Sequence, residues 1–360
     1  MLTHPEFHDQ NCTRYRFRYS ECAACADACP HDAIVLSDEG ITISETACQN
    51  CALCTAVCPT EAPTAQNFPR VDILRRAIAR QTVTFACAAS GKEADEIVPC
   101  LGALDAVMLA TLAQRGVEVT FAGTQLCSSC PKGKVAQRLL TRHLEAVEHL
   151  RQTMGNTNWA AIRVSTGEDA KMTHNASRRH LFRRFLGKPV NDMVEDTSDF
   201  GSQPAPMKAI RIAAPIRTTG RNLLQKLFDT TPDNAPVLPH HEGLFAAAIQ
   251  LDSGCTACEA CARVCPTGAI NIGESAVSWA LLFQFSRCVG CGVCVEVCQP
   301  RVLRFAEAMS ELSDANKIVP LHARAKQRCN RCDRFFISAQ PEEFCPVCVG
   351  DDADFADIFG

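Results

Sequence analysis

The chain has 360 residues, a formal net charge of −4, 47% hydrophobic and 21% charged residues, and 24 cysteines. These values exclude a disordered chain, give no basic field for nucleic acid, and leave the longest apolar runs, around 104–113 and 276–285, at half the roughly 20 residues a membrane helix needs. The opening MLTHPEFHDQ lacks the basic and apolar regions of an export signal, and disulfide scaffolds are far shorter, so the expectation is a cytoplasmic α+β multidomain protein whose cysteines ligate metal.

In chain order the cysteines form groups of four. The first, Cys12, Cys22, Cys25 and Cys29, is followed by Pro30. The second, Cys48, Cys51, Cys54 and Cys58, has the spacing C-x-x-C-x-x-C-x-x-x-C and is followed by Pro59. The first group matches only its last three positions, and Tyr19 stands where the leading cysteine would be. Cys12 fits that role if a seven-residue insertion lengthens the loop; otherwise it is a free thiol. The inserted Arg14-Tyr15-Arg16-Phe17-Arg18-Tyr19 alternates charge and ring with a period of two. It reads as a ring lid over the first site with arginines facing solvent, where positive charge would raise the potential of an anionic cluster. Between the groups, Ala33-Ile34-Val35 and Ile41-Thr42-Ile43 suit short strands.

Residues 67–168 alternate helix and strand patterns. A helix is expected over Val71–Arg80, then a strand over Thr82–Ala86 ending at Cys87 and a short strand over Glu96–Val98 ending at Pro99-Cys100. An apolar helix follows over Leu104–Arg115, closed by Gly116, and a strand over Val117–Ala122 before Cys127-Ser-Ser-Cys130. A long helix over Val135–Met154 and a last strand over Trp159–Ser165 complete a parallel-sheet pattern. Sites in such sheets lie beyond the carboxyl ends of the strands, which gathers Cys87, Cys100, Cys127 and Cys130 at one edge. Four thiols there suit an iron–sulfur cluster, a zinc ion, a redox-active Cys127/Cys130 dithiol at a helix start, or inert buried thiols. No Gly-rich dinucleotide fingerprint follows the first strand.

Residues 169–245 lack cysteine and are rich in Pro, Ser and Thr at 197–206 and 230–239, as in a linker. Ser177–Leu186 holds two Arg-Arg pairs and reads as a basic amphipathic helix; without a following apolar stretch it is not an export signal. His240-His241 reads as a surface pair. Over 246–308, Cys255, Cys258, Cys261, Cys265 and Cys288, Cys291, Cys294, Cys298 repeat the spacing of the second group, with Pro266 and Pro300 after them. Ala269–Ile272 and Leu281–Phe283 stand between. After a linker at 309–324, Cys329-x-x-Cys332 and Cys345-x-x-Cys348 lie twelve residues apart within 325–360. They resemble a zinc ribbon, two knuckles on one tetrahedral ion. Rubredoxins place the second pair further on, with Gly after each pair, where this chain has Asp333 and Val349. The acidic run Gly350–Asp354 argues against nucleic acid.

On these motifs residues 1–66 and 246–308 resemble bacterial-type ferredoxins with two [4Fe-4S] clusters, one module each. The resemblance covers about a third of the chain. It implies a pseudo-symmetric ferredoxin-like fold and crossed ligation, in which one cluster takes Cys12, Cys22, Cys25 and Cys58 and a second takes Cys29, Cys48, Cys51 and Cys54. A third takes Cys255, Cys258, Cys261 and Cys298, and a fourth takes Cys265, Cys288, Cys291 and Cys294. The expected cofactors are four [4Fe-4S] clusters, a fifth iron–sulfur cluster at the middle cysteines and one Zn2+. No catalytic residue is assigned. The expected function is single-electron transfer between redox partner proteins, as a subunit or partner of an oxidoreductase such as formate dehydrogenase. Two alternatives are a reductase acting at the central cysteines on a small substrate or disulfide, and an assembly factor for a metalloenzyme.

Overall fold

The computed structural model describes residues 4–37, 40–155, 158–165, 209–229, 238–309, 316–338 and 340–350. The expected basic helix at 177–186 and the acidic residues 351–354 lie outside them.

Two units share one plan. In the first, β1 (Glu6–Phe7) pairs antiparallel with β4 (Pro63–Thr64), and between them β2 (Ile34–Ser37) and β3 (Gly40–Ile43) form a hairpin with Ile34 opposite Ile43. Three short helices are set between these strands: α1 (Thr13–Arg16), α2 (Ala24–Asp27) and α3 (Leu53–Val57). In the second, β10 (Ile249–Leu251) pairs with β13 (Leu303–Phe305) around the hairpin of β11 (Ile270–Glu274) and β12 (Ser278–Gln284). Its helices are α8 (Ala260–Val264) and α9 (Val293–Glu296). β12 also pairs with β15 (Ile318–Arg328), which continues to β16 (Phe335–Ile337). Residues 318–324, read from sequence as linker, are therefore strand. Val319 and Leu321 are half-buried between the exposed Ile318, Pro320 and Ala323, and the pairing with β12 makes the segment a strand.

The central unit is a four-stranded sheet in the order β6 (Glu96–Val98), β5 (Thr82–Cys87), β7 (Glu118–Ala122), β8 (Ile162–Val164), with every pairing parallel. Val83, Phe85, Val119 and Phe121 are buried within it. Helix α5 (Ala106–Gln114) is buried from Ala106 to Ala113. Asp105 caps it by accepting from the Val107 and Met108 amides at 3.1 Å. The 21-residue α6 (Gly133–Thr153) turns Ala136, Leu139, Leu140, His143, Val147 and Leu150 inward, the spacing of one helical face.

The cysteine-free stretch is not only linker. Its α7 (Thr219–Phe228) buries Leu224, Leu227 and Phe228 in the main core and packs on α5. The Glu61 carboxylate accepts from the Thr219 and Gly220 amides at 2.8 Å, and pairs with Arg70 of α4 (Arg70–Ile78) at 2.9 Å. Arg70 in turn pairs with Asp105 at 2.6 Å.

The sequence reading of the Arg14–Tyr19 insertion is corrected here. Thr13–Arg16 is a helical turn, and Arg16 is fully buried rather than solvent-facing. Phe17 is buried against the second unit, while Tyr19 is exposed and covers no site. Period-two alternation reports only that successive side chains differ in chemistry, and here part of the segment is a helical turn.

His143 is 2% exposed, and burial pushes its imidazole down to about 4, with Asp105 opposing the shift. A depressed histidine is neutral when folded and protonates more readily when unfolded. Stability is therefore full above its unfolded value near 6.5 and falls as pH drops through 6.5 toward 4, by up to about 3 kcal/mol. His143→Gln is expected to flatten that window of the stability–pH curve, measured by denaturant unfolding between pH 5 and 7.5.

Candidate metal centres

Three of the cysteine loops share one backbone signature. In the second group Asn50 (φ 48°) and Ala52 (φ 62°) are left-handed; in the fourth Ala257 (φ 56°) and Glu259 (φ 62°); in the fifth Gly290 (φ 65°) and Gly292 (φ 80°). These are the second residue after the first cysteine and the first residue after the second. A left-handed non-glycine costs roughly 1–2 kcal/mol, and four occur at equivalent places. The turns are wound so tightly that successive thiols converge, and such strain persists where a site requires it. A second mark follows the last cysteine: Asp32, Glu61, Gly268 and Arg301, each three residues on, all have positive φ between 48° and 65°. The first group shares this tail but not the left-handed head, since Ala23 after Cys22 has φ −126°.

The convergence crosses between groups. One pocket is lined by Cys29 together with Cys48, Cys51 and Cys54. A second joins Cys298 to Cys255, Cys258 and Cys261. A third joins Cys265 to Cys288, Cys291 and Cys294. Cys25 is pushed up to about 12, by burial first and then by Cys58, Cys12 and Cys22, so these four thiols oppose one another's ionisation. Cys12 is itself buried and pushed up to about 11, mainly by burial. The structure thus brings together the four quartets that the resemblance implied, Cys12 included. Thiols buried this way are neutral alone, so binding a metal means releasing their protons.

Backbone and hydroxyl donors surround the sulfurs. The Ala33 amide donates to Cys29 Sγ at 3.3 Å and the Ala62 amide to Cys58 Sγ at 3.4 Å. Thr60 Oγ1 lies 3.4 Å from Cys58 Sγ, and Thr267 Oγ1 lies 3.8 Å from Cys265 Sγ. Such hydrogen bonds tune cluster potentials. Sequence reasoning passed over both threonines, although Cys-Pro-Thr at 58–60 and again at 265–267 was the available signal. It also passed over Arg221 of α7, which donates to the Cys288 carbonyl at 3.0 Å.

The middle four cysteines lie at the carboxyl edge of the parallel sheet. Cys87 ends β5, Cys100 follows β6, and Cys127 and Cys130 bound a tight turn after β7. Cys100 is pushed up to about 12 by burial; Cys87 and Cys51 raise it further, while the Gly102 amide and Lys132 oppose. Cys127 is raised by burial, then by Cys87 and Cys130. The quartet therefore adjoins the first unit, where Leu53 packs beside Cys100 and Leu139. Thiols of neighbouring sites also raise one another electrostatically: Cys25 raises Cys54, Cys22 raises Cys291, and Cys261 raises Cys294, each after the larger effect of burial.

The last quartet is of another size. The thiols of Cys329, Cys332, Cys345 and Cys348 all lie within 4.8 Å of one another, the one such group among the described residues. Cys332 and Cys345 Sγ are 3.7 Å apart. A tetrahedral zinc with Zn–S near 2.3 Å spaces its sulfurs by about 3.8 Å, so the donor set and its spacing fit one such ion. Burial raises the Cys329 thiol, but the Cys345, Cys332 and Arg331 amides outweigh it and bring it down to about 6. His240 and His241 do not gather ligands: His240 stacks on Phe305 at 5.4 Å, and His241 lies beside His149 at 5.0 Å.

Comparison with known families matches the 4Fe-4S dicluster domain at residues 20–62 and again at residues 253–303. The chain therefore carries two 4Fe-4S dicluster domains, which imply four clusters. Over 120 residues, a third of its length, it is 29% identical to Hydrogenase-4 component A of Escherichia coli (strain K12). It spans about half the length of that curated relative. No helix among the described residues is long and apolar enough to cross a membrane.

A β-carbon on Gly133 would stand 1.6 Å from the Cys127 carbonyl oxygen, so the turn carrying Cys127 and Cys130 closes only over glycine. Gly133→Ala is expected to open that turn at a cost of about 1–3 kcal/mol. Mass-spectrometric mapping of alkylation should then show Cys127 and Cys130 reacting faster while the dicluster cysteines do not change.

Proposed function

We propose that the chain carries single electrons between redox partner proteins, as a subunit or partner of an oxidoreductase of the hydrogenase or formate dehydrogenase type. The observation that carries this reading is the contiguity of the cysteine quartets. The electrostatic influence of thiols on those of the next site supports the order Cys255/258/261/298, then Cys265/288/291/294, then Cys12/22/25/58, then Cys29/48/51/54, then Cys87/100/127/130. Cubanes bound at such sites supply one-electron exchange with little ligand rearrangement. The protein's own part is to hold the thiols, exclude water and set the charge around them. Likeness to a hydrogenase component supports a partner within an oxidoreductase assembly.

In this reading the sixteen dicluster cysteines are the ligands of four [4Fe-4S] clusters, Cys12 being the fourth ligand of its site. Cys87, Cys100, Cys127 and Cys130 hold a fifth iron–sulfur cluster. Its favoured place is supported by contact with Cys51 and by a spread of thiols wider than the zinc-sized quartet. Cys329, Cys332, Cys345 and Cys348 hold one Zn2+, which stabilises a segment whose own apolar core is little more than those cysteines and Phe336.

Anaerobic purification followed by iron, zinc and acid-labile sulfide analysis tests the assignment. On the order of 16–20 iron and one zinc per chain are expected. About eight iron would leave only one working dicluster domain and sink the proposal.

A further inference from the structure

Two arginines from outside the second dicluster domain are buried against one of its sites. Arg16, from the insertion in the first domain, is 0% exposed. Its guanidinium donates to the carbonyls of Gln10 at 2.8 Å, Ala213 at 3.1 Å and Ala214 at 2.7 Å. Arg221 of α7 is 3% exposed and donates to the carbonyls of Cys288 at 3.0 Å and Phe285 at 2.8 Å; its remaining terminal nitrogen, Nη1, has no partner. The Phe285 ring lies 4.9 Å beneath it. All these acceptors are carbonyls. A buried cation without a facing carboxylate is costly unless negative charge lies near. The groups that offset the burial of Arg16 are Cys265 first and Cys291 next, and for Arg221 they are Cys288 first and then the Asp229 carboxylate. An arginine guanidinium stays a cation at neutral pH in proteins. Both positive charges therefore converge on Cys265/Cys288/Cys291/Cys294.

The packing keeps them there. Phe17 is buried among Val264, Val293 and Val297 of the second domain. The strip 209–216 is held on one side by Arg16 and Arg18, whose backbone exchanges hydrogen bonds with Arg211 and Ala209, and on the other by the Ile216 amide on the Pro266 carbonyl at 2.8 Å. This seam runs up to Pro266, the residue after Cys265.

We propose that Arg16 and Arg221 are positioning residues for the Cys265/Cys288/Cys291/Cys294 site, and that their two buried charges make it the most readily reduced of the four dicluster sites, at the junction between the domains. Positive charge stabilises the added electron, and low local polarity keeps that effect large. The proposal rests on the iron–sulfur reading. Iron and sulfide analysis of each preparation separates failure of that reading from failure of this one.

The test is an EPR-monitored redox titration of the full-length, anaerobically purified protein. Arg16→Gln and Arg221→Gln are each expected to retain wild-type iron and to lower the highest of the midpoint potentials, leaving the others in place. Arg16→Lys and Arg221→Lys should restore it, because they return charge without the guanidinium's hydrogen-bond pattern; a purely structural role would not be rescued. Should Arg16→Gln fail to fold, the Arg221 pair carries the same comparison. An unchanged highest potential in iron-replete glutamine variants overturns the proposal, as does an equal shift of all potentials or a lysine variant that behaves like glutamine.

Discussion

The carboxylate of Glu61 is the point on which the assembly depends. It stands three residues after Cys58 in a left-handed conformation, so the turn that brings Cys58 to its site also aims Glu61 outward. There it receives the first two amides of α7, where the helix dipole favours negative charge. It also pairs with Arg70, and Arg70 with Asp105, the cap of α5. One chain of buried groups thus joins the first dicluster domain, the central sheet domain and the bridging helix. That helix then reaches the second domain through Arg221. Each group is held by more than one partner, which is the condition under which buried charge is tolerated. Removing one member leaves the others uncompensated, at a cost of about 3–5 kcal/mol.

The cysteine loops explain why such bracing is needed. Each dicluster domain is built from strands of two to seven residues and helices of four or five, too short to be stable alone. Its loops also hold non-glycine residues left-handed. On the proposed ligation, what closes them is metal binding across the domain, with the fourth cysteine of each group joining the other group's first three. Crossing makes the two sites of a domain interdependent, so metal binding and folding are one event. The central domain differs. Its buried α5 and four-stranded parallel sheet form an ordinary apolar core, and its cysteines sit on the edge of that core without being needed to build it.

Much of this was legible in the sequence. The spacing of the second, fourth and fifth cysteine groups, the helix–strand alternation of 67–168 and the tighter final quartet each follow from local patterns. The parallel sheet matches its expected strand ends at Cys87 and before Cys100. What escaped depends on long-range contact. Nothing local to Arg14–Tyr19 says that Phe17 packs against Val264 and Val293, nearly 250 residues away or more. Nothing local to Thr219–Phe228 marks it as core, because its composition is polar enough to pass for a linker while its buried Leu224 and Leu227 lie three apart on one face. Residues 318–324 were missed for a related reason: their partner, β12, carries the stronger pattern, and a half-exposed neighbour strand is defined by the pairing it makes.

The positions of the sites constrain how partners could be served. On the proposed reading the quartets form one sequence, with the central cysteines at one end and Cys255/258/261/298 at the other. The two ends differ in build. At the central end Cys127 and Cys130 are only partly buried and lie on a turn beside Lys132, which suits approach by an acidic surface. At the other end Cys258 is exposed, and Arg324 of β15 donates to the Cys255 carbonyl, so the strand leading to the zinc-sized quartet is anchored beside that site. The segment anchored there offers a protein surface next to the exposed Cys258. Different surfaces at the two ends give the chain a direction, since a donor matched to one end meets no complementary surface at the other.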